Sequence, residues 1–121
     1  MERKSGFYKA LQKYGIECVL SIKKKYGVNE GFEAMKEVLR SEAEVVFVSN
    51  GEQLVGALKA MNISDKDIYI VGFDGIELPW LLNKPCAFIT QPIREIGEKA
   101  AGLLIEIISN PDMKIKNIVI R

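Results

Sequence analysis

Val45-Val46-Phe47-Val48, then Ser49-Asn50-Gly51-Glu52, and one helix length later Ile68-Tyr69-Ile70-Val71-Gly72-Phe73, form the stretch that decides the fold. Both apolar runs are short, continuous and rich in β-branched and aromatic residues, the pattern of a strand buried on both faces of a parallel sheet. Between them, Ser49 and Glu52 stand at capping-box spacing, and Leu54, Ala57, Leu58 and Met61 recur at helical spacing. A strand, a crossover helix and a second strand make a βαβ unit, and such units build a doubly wound parallel sheet of the α/β class.

Working outward, Arg3 to Tyr14 reads as a helix with Phe7, Leu11 and Tyr14 on one side, ended by Gly15. Ile16 to Ile22, centred on Val19 and Leu20, predicts a strand, and the run Lys23-Lys24-Lys25 after it is a solvated face. Asn29 is placed to cap a second helix, Gly31 to Arg40, with Phe32, Met35, Val38 and Leu39 facing the core. On the other side, Cys86 to Ile89 is a further strand. Thr90-Gln91-Pro92 leads into the clearest helix, with the stripe Ile93, Ile96, Ala100, Leu103 and Ile107, stopped by Asn110-Pro111. Ile115 to Ile120 predicts a closing strand, and Trp80, after Leu78-Pro79, is expected to pack a short helix over the sheet.

The bulk properties narrow the function. At 121 residues, 48% hydrophobic and 27% charged, the chain has the length and composition of one globular domain. Its longest apolar stretches fall well short of the roughly 20 residues needed to cross a bilayer, so no membrane role is expected. Met1 is followed by Glu2-Arg3-Lys4 instead of the apolar run of a secretory signal, which points to the cytoplasm. Cys18 and Cys86 lie far apart and match no metal or redox spacing, which suits a reducing cytoplasm with two buried thiols. Histidine is absent from the sequence, which removes the commonest general base, metal ligand and triad member together. A net charge of +1 gives no basic surplus for nucleic-acid binding. No catalytic residue, metal site or cofactor is therefore expected.

Ligands of open α/β sheets sit beyond the carboxyl ends of the strands, so the polar residues there are the candidates. Asn50 follows the first apolar run and Asp74 the second. An amide and a carboxylate, helped by a guanidinium, suit a polyhydroxylated ligand, because each can bridge neighbouring hydroxyls. Two structural roles compete: Asn50 as a helix cap, and Asp74-Gly75 as a turn. Aromatic rings can cover the apolar faces of such a ligand, and Tyr26 is the open candidate. Gly72-Phe73-Asp74-Gly75 has neither the spacing nor the lysine of a phosphate loop.

In order and spacing, Arg3-Lys4-Ser5-Gly6-Phe7, Gly31-Phe32-Glu33-Ala34-Met35, Val48-Ser49-Asn50, Gly56-Ala57-Leu58, Asp67 to Asp74, Thr90-Gln91-Pro92-Ile93 and Gly97-Glu98-Lys99-Ala100-Ala101 resemble the lactose/galactose-repressor family. The resemblance runs along nearly the whole chain. It implies the carboxy-terminal part of a periplasmic-binding-protein-like effector domain, in which a sugar or related small molecule binds between two subdomains and controls DNA binding allosterically. It implies ligand contacts at Arg3, Tyr26, Asn50, Asp74 and Gln91. It places the DNA-binding segment and the first subdomain outside these residues, with the 92–112 helix packing on that first subdomain. Self-association, as a homodimer or by swapping, is expected through the stripe of that helix. The sequence departs from the family at Gly51, where an acid is usual, and at Asn62-Ile63-Ser64-Asp65-Lys66, a short connection without proline. Two other readings stay open: a sugar-binding receptor of a transport system, and an α/β enzyme using Asp74 as acid or base.

Overall fold

The computed structural model describes residues 2–74, 84–114 and 117–120. The element order is α1 (Glu2–Tyr14), α2 (Val28–Leu39), β1 (Val45–Val48), α3 (Gly51–Asn62), β2 (Tyr69–Phe73), β3 (Cys86–Ile89) and α4 (Ile93–Ser109). The chain divides into two units, one ending at Thr90 and the other starting at Gln91.

In the first unit the strands pair in parallel in the order β1-β2-β3, with Val48 opposite Gly72 and Phe73 opposite Ile89. Alternation then sorts the side chains. Val46, Val48, Cys86 and Phe88 pack against a core made of Met35 and Val38 of α2, Leu54, Ala57, Leu58, Ala60 and Met61 of α3, and Ile68 and Ile70. Each fully buried large side chain contributes about 1.5–3 kcal/mol. Phe47 lies on the opposite face, where the Phe7 ring of α1 stacks on it at 4.8 Å. Helices thus meet both faces of a parallel sheet, as the βαβ reading requires.

The helices α2 and α3 cross with backbone against backbone. A Cβ at Gly31 would run into the backbone of Gln53, and one at Gly56 into the Val28 carbonyl and the Phe32 amide. Only glycine permits this approach at either position.

Several expectations are corrected. Ile16 to Ile22 forms no strand; Ile22 alone of its apolar residues packs on the core, while Ile16, Val19 and Leu20 are exposed. A strand needs a ladder partner, and this segment has none among the described residues. Val45 and Tyr69 are exposed, so the sheet is not buried on both faces; on the α2/α3 face Ile70 and Gly72 are buried and Val46, Val48, Cys86 and Phe88 partly so. Cys18 and Cys86, expected to be buried, are both only half-buried. α2 starts at Val28 behind Gly27, with no side-chain cap, instead of being capped by Asn29. α3 is capped by Asn50, one residue later than the Ser49/Glu52 spacing predicts. Residues 117–120 form no strand, while Ile115 and Trp80 lie outside the described residues. The end of α1 follows expectation: Gly15, at φ 64°, lets the Ile16 amide reach back to the Leu11 carbonyl at 2.9 Å.

Unfolding in urea tests the helix crossing. Gly56→Ala should lower stability by about 1–3 kcal/mol or prevent folding, since backbone has to move to admit the methyl. Gly6→Ala, whose Cβ meets nothing within 4 Å, should raise stability by up to about 1 kcal/mol. Equal midpoints for the two variants would show that the crossing is not so tight.

Candidate functional site

The parallel register sets the site. Val48 and Gly72 are partners, so Asn50 and Asp74 each stand two residues past the paired positions, at neighbouring strand exits. α3 begins between them. A Cβ at Gly51 would lie 3.8 Å from the Asp74 Cβ, so the first residue of α3 is packed beside Asp74. The amino end of this helix, with its partial positive charge, opens on the same place.

Asp74 takes a left-handed backbone at φ 59°, which a short polar residue tolerates, and its amide donates to the Ile89 carbonyl at 2.9 Å. The end of β3 thereby fixes where this carboxylate leaves the sheet. Arg3 reaches the exits from α1. Its Nη1 donates to the Ser49 carbonyl at 2.7 Å, its Nη2 lies 3.9 Å from Asp74 Oδ2, and its guanidinium covers the Phe73 ring at 4.1 Å. The separation of 3.9 Å makes the Arg3–Asp74 contact a Coulombic one, too long for a hydrogen bond. With side chains 38% and 32% exposed, the pair is partly screened by water and adds little to stability. Arg3 and Phe7, one helical turn apart, tie α1 to the exits and to the sheet.

Asn50 is a true helix cap: its backbone is extended and its Oδ1 accepts from the Gln53 amide at 3.0 Å. Its Nδ2 donates to Gln53 Oε1 at 2.7 Å. Of the five residues expected at the site, the structure therefore brings together Arg3, Asn50 and Asp74. Tyr26 is 79% exposed on the loop entering α2, and no hydrogen bond or ring contact among the described residues joins it to Arg3 or Asn50. Gln91 opens the second unit, where it lines an apolar groove of about 560 Å³ with Pro92, Ile96, Leu103 and Ile118.

Two neighbours escaped the sequence reading. Phe73 carries the Arg3 guanidinium, and its signal is an aromatic residue next to an acid at a strand end. Gln53 holds Asn50, and its signal is a second amide three residues after a candidate cap.

Comparison with known proteins gives a consistent result. Residues 1–121 match the family described as periplasmic binding protein-like domain. The chain is 29% identical over 98% of its length to the probable HTH-type transcriptional repressor ExuR of Bacillus subtilis, covering 38% of that protein. It is 29% identical over 93% of its length to the ribose operon repressor of Escherichia coli, covering 36%. The chain thus spans little more than a third of the curated relatives it matches. Among solved structures, a LacI family transcriptional regulator from Enterococcus faecium with bound ribose superposes with a TM-score of 0.77 at 28% identity, over 93% of this chain and 44% of that one.

Arg3→Met keeps the apolar stem of Arg3 but leaves the Ser49 carbonyl without its donor. Hydrogen exchange of the α1 amides should accelerate roughly tenfold, about 1.4 kcal/mol, with α3 little changed. Unaltered exchange in α1 would mean that Arg3 does not anchor it.

Proposed function

The chain belongs to the periplasmic binding protein-like domain family, and from that premise we propose that it is the carboxy-terminal part of the effector-binding domain of a bacterial transcriptional repressor. Its effector is a small sugar or related polyhydroxylated molecule, held at the strand exits by Arg3, Asn50 and Asp74. The observation that carries this reading is their convergence: two polar side chains at adjacent parallel exits, with a guanidinium 3.9 Å from one of them and the amino end of α3 between them. Tyr26 and Gln91 are further contacts proposed for the effector.

The mechanism follows from differential affinity. A sugar that bridges groups on both walls of a cleft binds the closed form better, and it can shift the equilibrium only by that preference, commonly about 1–3 kcal/mol or roughly 5- to 150-fold. The change of angle reaches DNA through a segment outside these residues. Such a protein works in the cytoplasm, binds and does not catalyse, and needs no cofactor. No helix among the described residues is long and apolar enough to cross a membrane.

A sugar-binding receptor of a transport system is the second reading. It is favoured by 34% identity to the ribose import binding protein RbsB of Bacillus subtilis, over 61% of this chain. Sequencing the gene upstream separates the two: a helix-turn-helix coding segment supports the repressor, and a secretory signal overturns it. The matched relatives are repressors and binding proteins, which leaves the enzyme reading of Asp74 without support.

Two outcomes are expected. In the full-length parent, Asp74→Asn should weaken binding of D-ribose, or of whichever sugar a calorimetric panel identifies, at least about tenfold, and leave operator affinity intact. Unchanged sugar affinity would remove Asp74 from the site. The second concerns α4, which buries no side chain and whose apolar stripe, Ile93, Ile96, Ala100, Leu103 and Ile107, leaves all three isoleucines exposed. In the parent this stripe packs on the first subdomain. In the 121-residue chain it drives association of two copies, because an apolar patch of this kind is rare on a stable monomer. Sedimentation at tens of micromolar should give a mass above that of the monomer, and a strictly monomeric species would overturn this.

A further inference from the structure

We infer that Gln53 is a positioning residue for effector specificity: it sets the orientation of the Asn50 carboxamide and holds the backbone of the loop that carries Tyr26. The inference rests on the effector-binding reading above and assigns the geometry of that site to a residue outside it.

In a capping box, the glutamine three residues after the cap turns back to the cap's own backbone amide. Gln53 does something else. Its Nε2 donates to the Lys25 carbonyl at 2.8 Å and lies 3.4 Å from the Lys24 carbonyl. Its Oε1 accepts from Asn50 Nδ2 at 2.7 Å. Its backbone amide donates to Asn50 Oδ1 at 3.0 Å.

The direction of every bond in this chain is set by chemistry. Carbonyl oxygens only accept, so the end of the Gln53 side chain facing Lys24 and Lys25 has to be its NH2 group. The other end is then the oxygen, and the Asn50 atom facing it has to be a donor, Nδ2. The backbone amide of Gln53 independently requires Oδ1 on the other side of Asn50. Two separate constraints agree, so the carboxamide of Asn50 has one orientation.

The consequence is arithmetic. An asparagine side chain offers two N–H donors and two acceptor lone pairs, and Gln53 takes one of each. One donor and one lone pair remain, facing fixed directions. That combination serves a sugar hydroxyl pair in which one oxygen accepts and the other donates. A freely turning amide would meet either stereochemical arrangement; a fixed one discriminates between them.

The loop is held at the same time. Lys25, clamped by Gln53, directly precedes Tyr26, and Gly27 after it has φ 147°, a conformation that side-chain-bearing residues rarely adopt. The backbone on both sides of Tyr26 is therefore specified. Movement of the loop and rotation of Asn50 are coupled through a single side chain.

Two substitutions separate the roles. Gln53→Met keeps length and helix propensity but removes both polar atoms. Gln53→Glu keeps an oxygen for Asn50 Nδ2 while replacing the donor to the Lys25 carbonyl by an acceptor. In the full-length parent, calorimetry with D-ribose, D-xylose, L-arabinose and 2-deoxy-D-ribose reads affinity and discrimination. In the 121-residue chain, the 15N-labelled Asn50 side-chain NH2 pair reads orientation, and urea midpoints report on the fold. Gln53→Met should lose about tenfold in affinity for the preferred pentose and bring the others closer to it. Its Asn50 NH2 protons should exchange faster, with a small change in midpoint. Gln53→Glu should keep the Asn50 signature and much of the discrimination while losing affinity.

Wild-type affinity and discrimination in Gln53→Met would overturn the inference and leave the sugar reading standing. A wild-type parent that binds none of the four sugars would tell against the effector reading under Proposed function instead. The Asn50 NH2 pair then still decides the local role of Gln53: acceleration in Gln53→Met supports it and no change refutes it.

Discussion

Everything at the strand exits depends on how closely α3 approaches α2. At Gly31 and Gly56 the two helices meet backbone to backbone, and this places the start of α3 against the start of α2. Gly31 lies on the Gln53 backbone, so the Gln53 side chain emerges where it can reach the carbonyls of Lys24 and Lys25. A side chain at either glycine would separate the helices and break that reach before it disturbed any ligand contact. The core beneath, from Met35 and Val38 to Leu54, Leu58 and Met61, supplies the burial that keeps the helices together at this distance. The polar arrangement above contributes geometry more than stability.

Much of this was legible in the sequence because the signals are local. The runs at β1, β2 and β3, the α3 stripe and the Gly15 stop each declare themselves within a few residues. Parallel crossovers then bring Asn50 and Asp74 to adjacent exits without further information. The failures share a physical cause. Ile16 to Ile22 has the composition of a strand, but composition does not supply the ladder partner that makes one. Two overlapping caps, Ser49 with Glu52 and Asn50 with Gln53, are equally written into the chain. The choice falls to the second because β1 ends at Val48 and Asn50 stays extended, at φ −148° and ψ 157°. Gln53's contact with Lys25 joins positions 28 residues apart and leaves no trace in periodicity. Arg3 is a candidate through family resemblance alone, and its contacts with Ser49, Phe73 and Asp74 place it at the strand exits.

The two units are built differently. The first has its own buried core, whereas α4 in the second buries no side chain despite an apolar stripe readable from sequence. One helix and a short following segment cannot enclose enough surface to form a core. An amphipathic pattern states that a face is to be covered; it does not name the cover. That is why the helix itself was predictable and its packing remains a matter for the oligomeric state.

The glycine at position 51 changes what the site can select for. Where the resembling family usually has an acid, this chain places no side chain, and a Cβ there would stand in ordinary contact with the Asp74 Cβ, at 3.8 Å. A carboxylate there would be a second negative charge next to the first, a pairing that disfavours ionisation of one of them. With glycine, the exits hold, among the described residues, the Asp74 carboxylate and the Arg3 guanidinium, 3.9 Å apart, and the partial positive charge of the α3 amino end, roughly half a unit. Between these two described side chains the opposite charges largely offset each other, which lowers discrimination by charge. Under the proposed function, selection among sugars then falls to directional hydrogen bonds, where a mismatched buried polar group costs about 1–3 kcal/mol. Among the described residues, the Asn50 carboxamide has its direction fixed, held at both ends by Gln53. Under the proposed function, glycine at position 51 thus leaves recognition resting more on the orientation of the neighbouring amide than on charge.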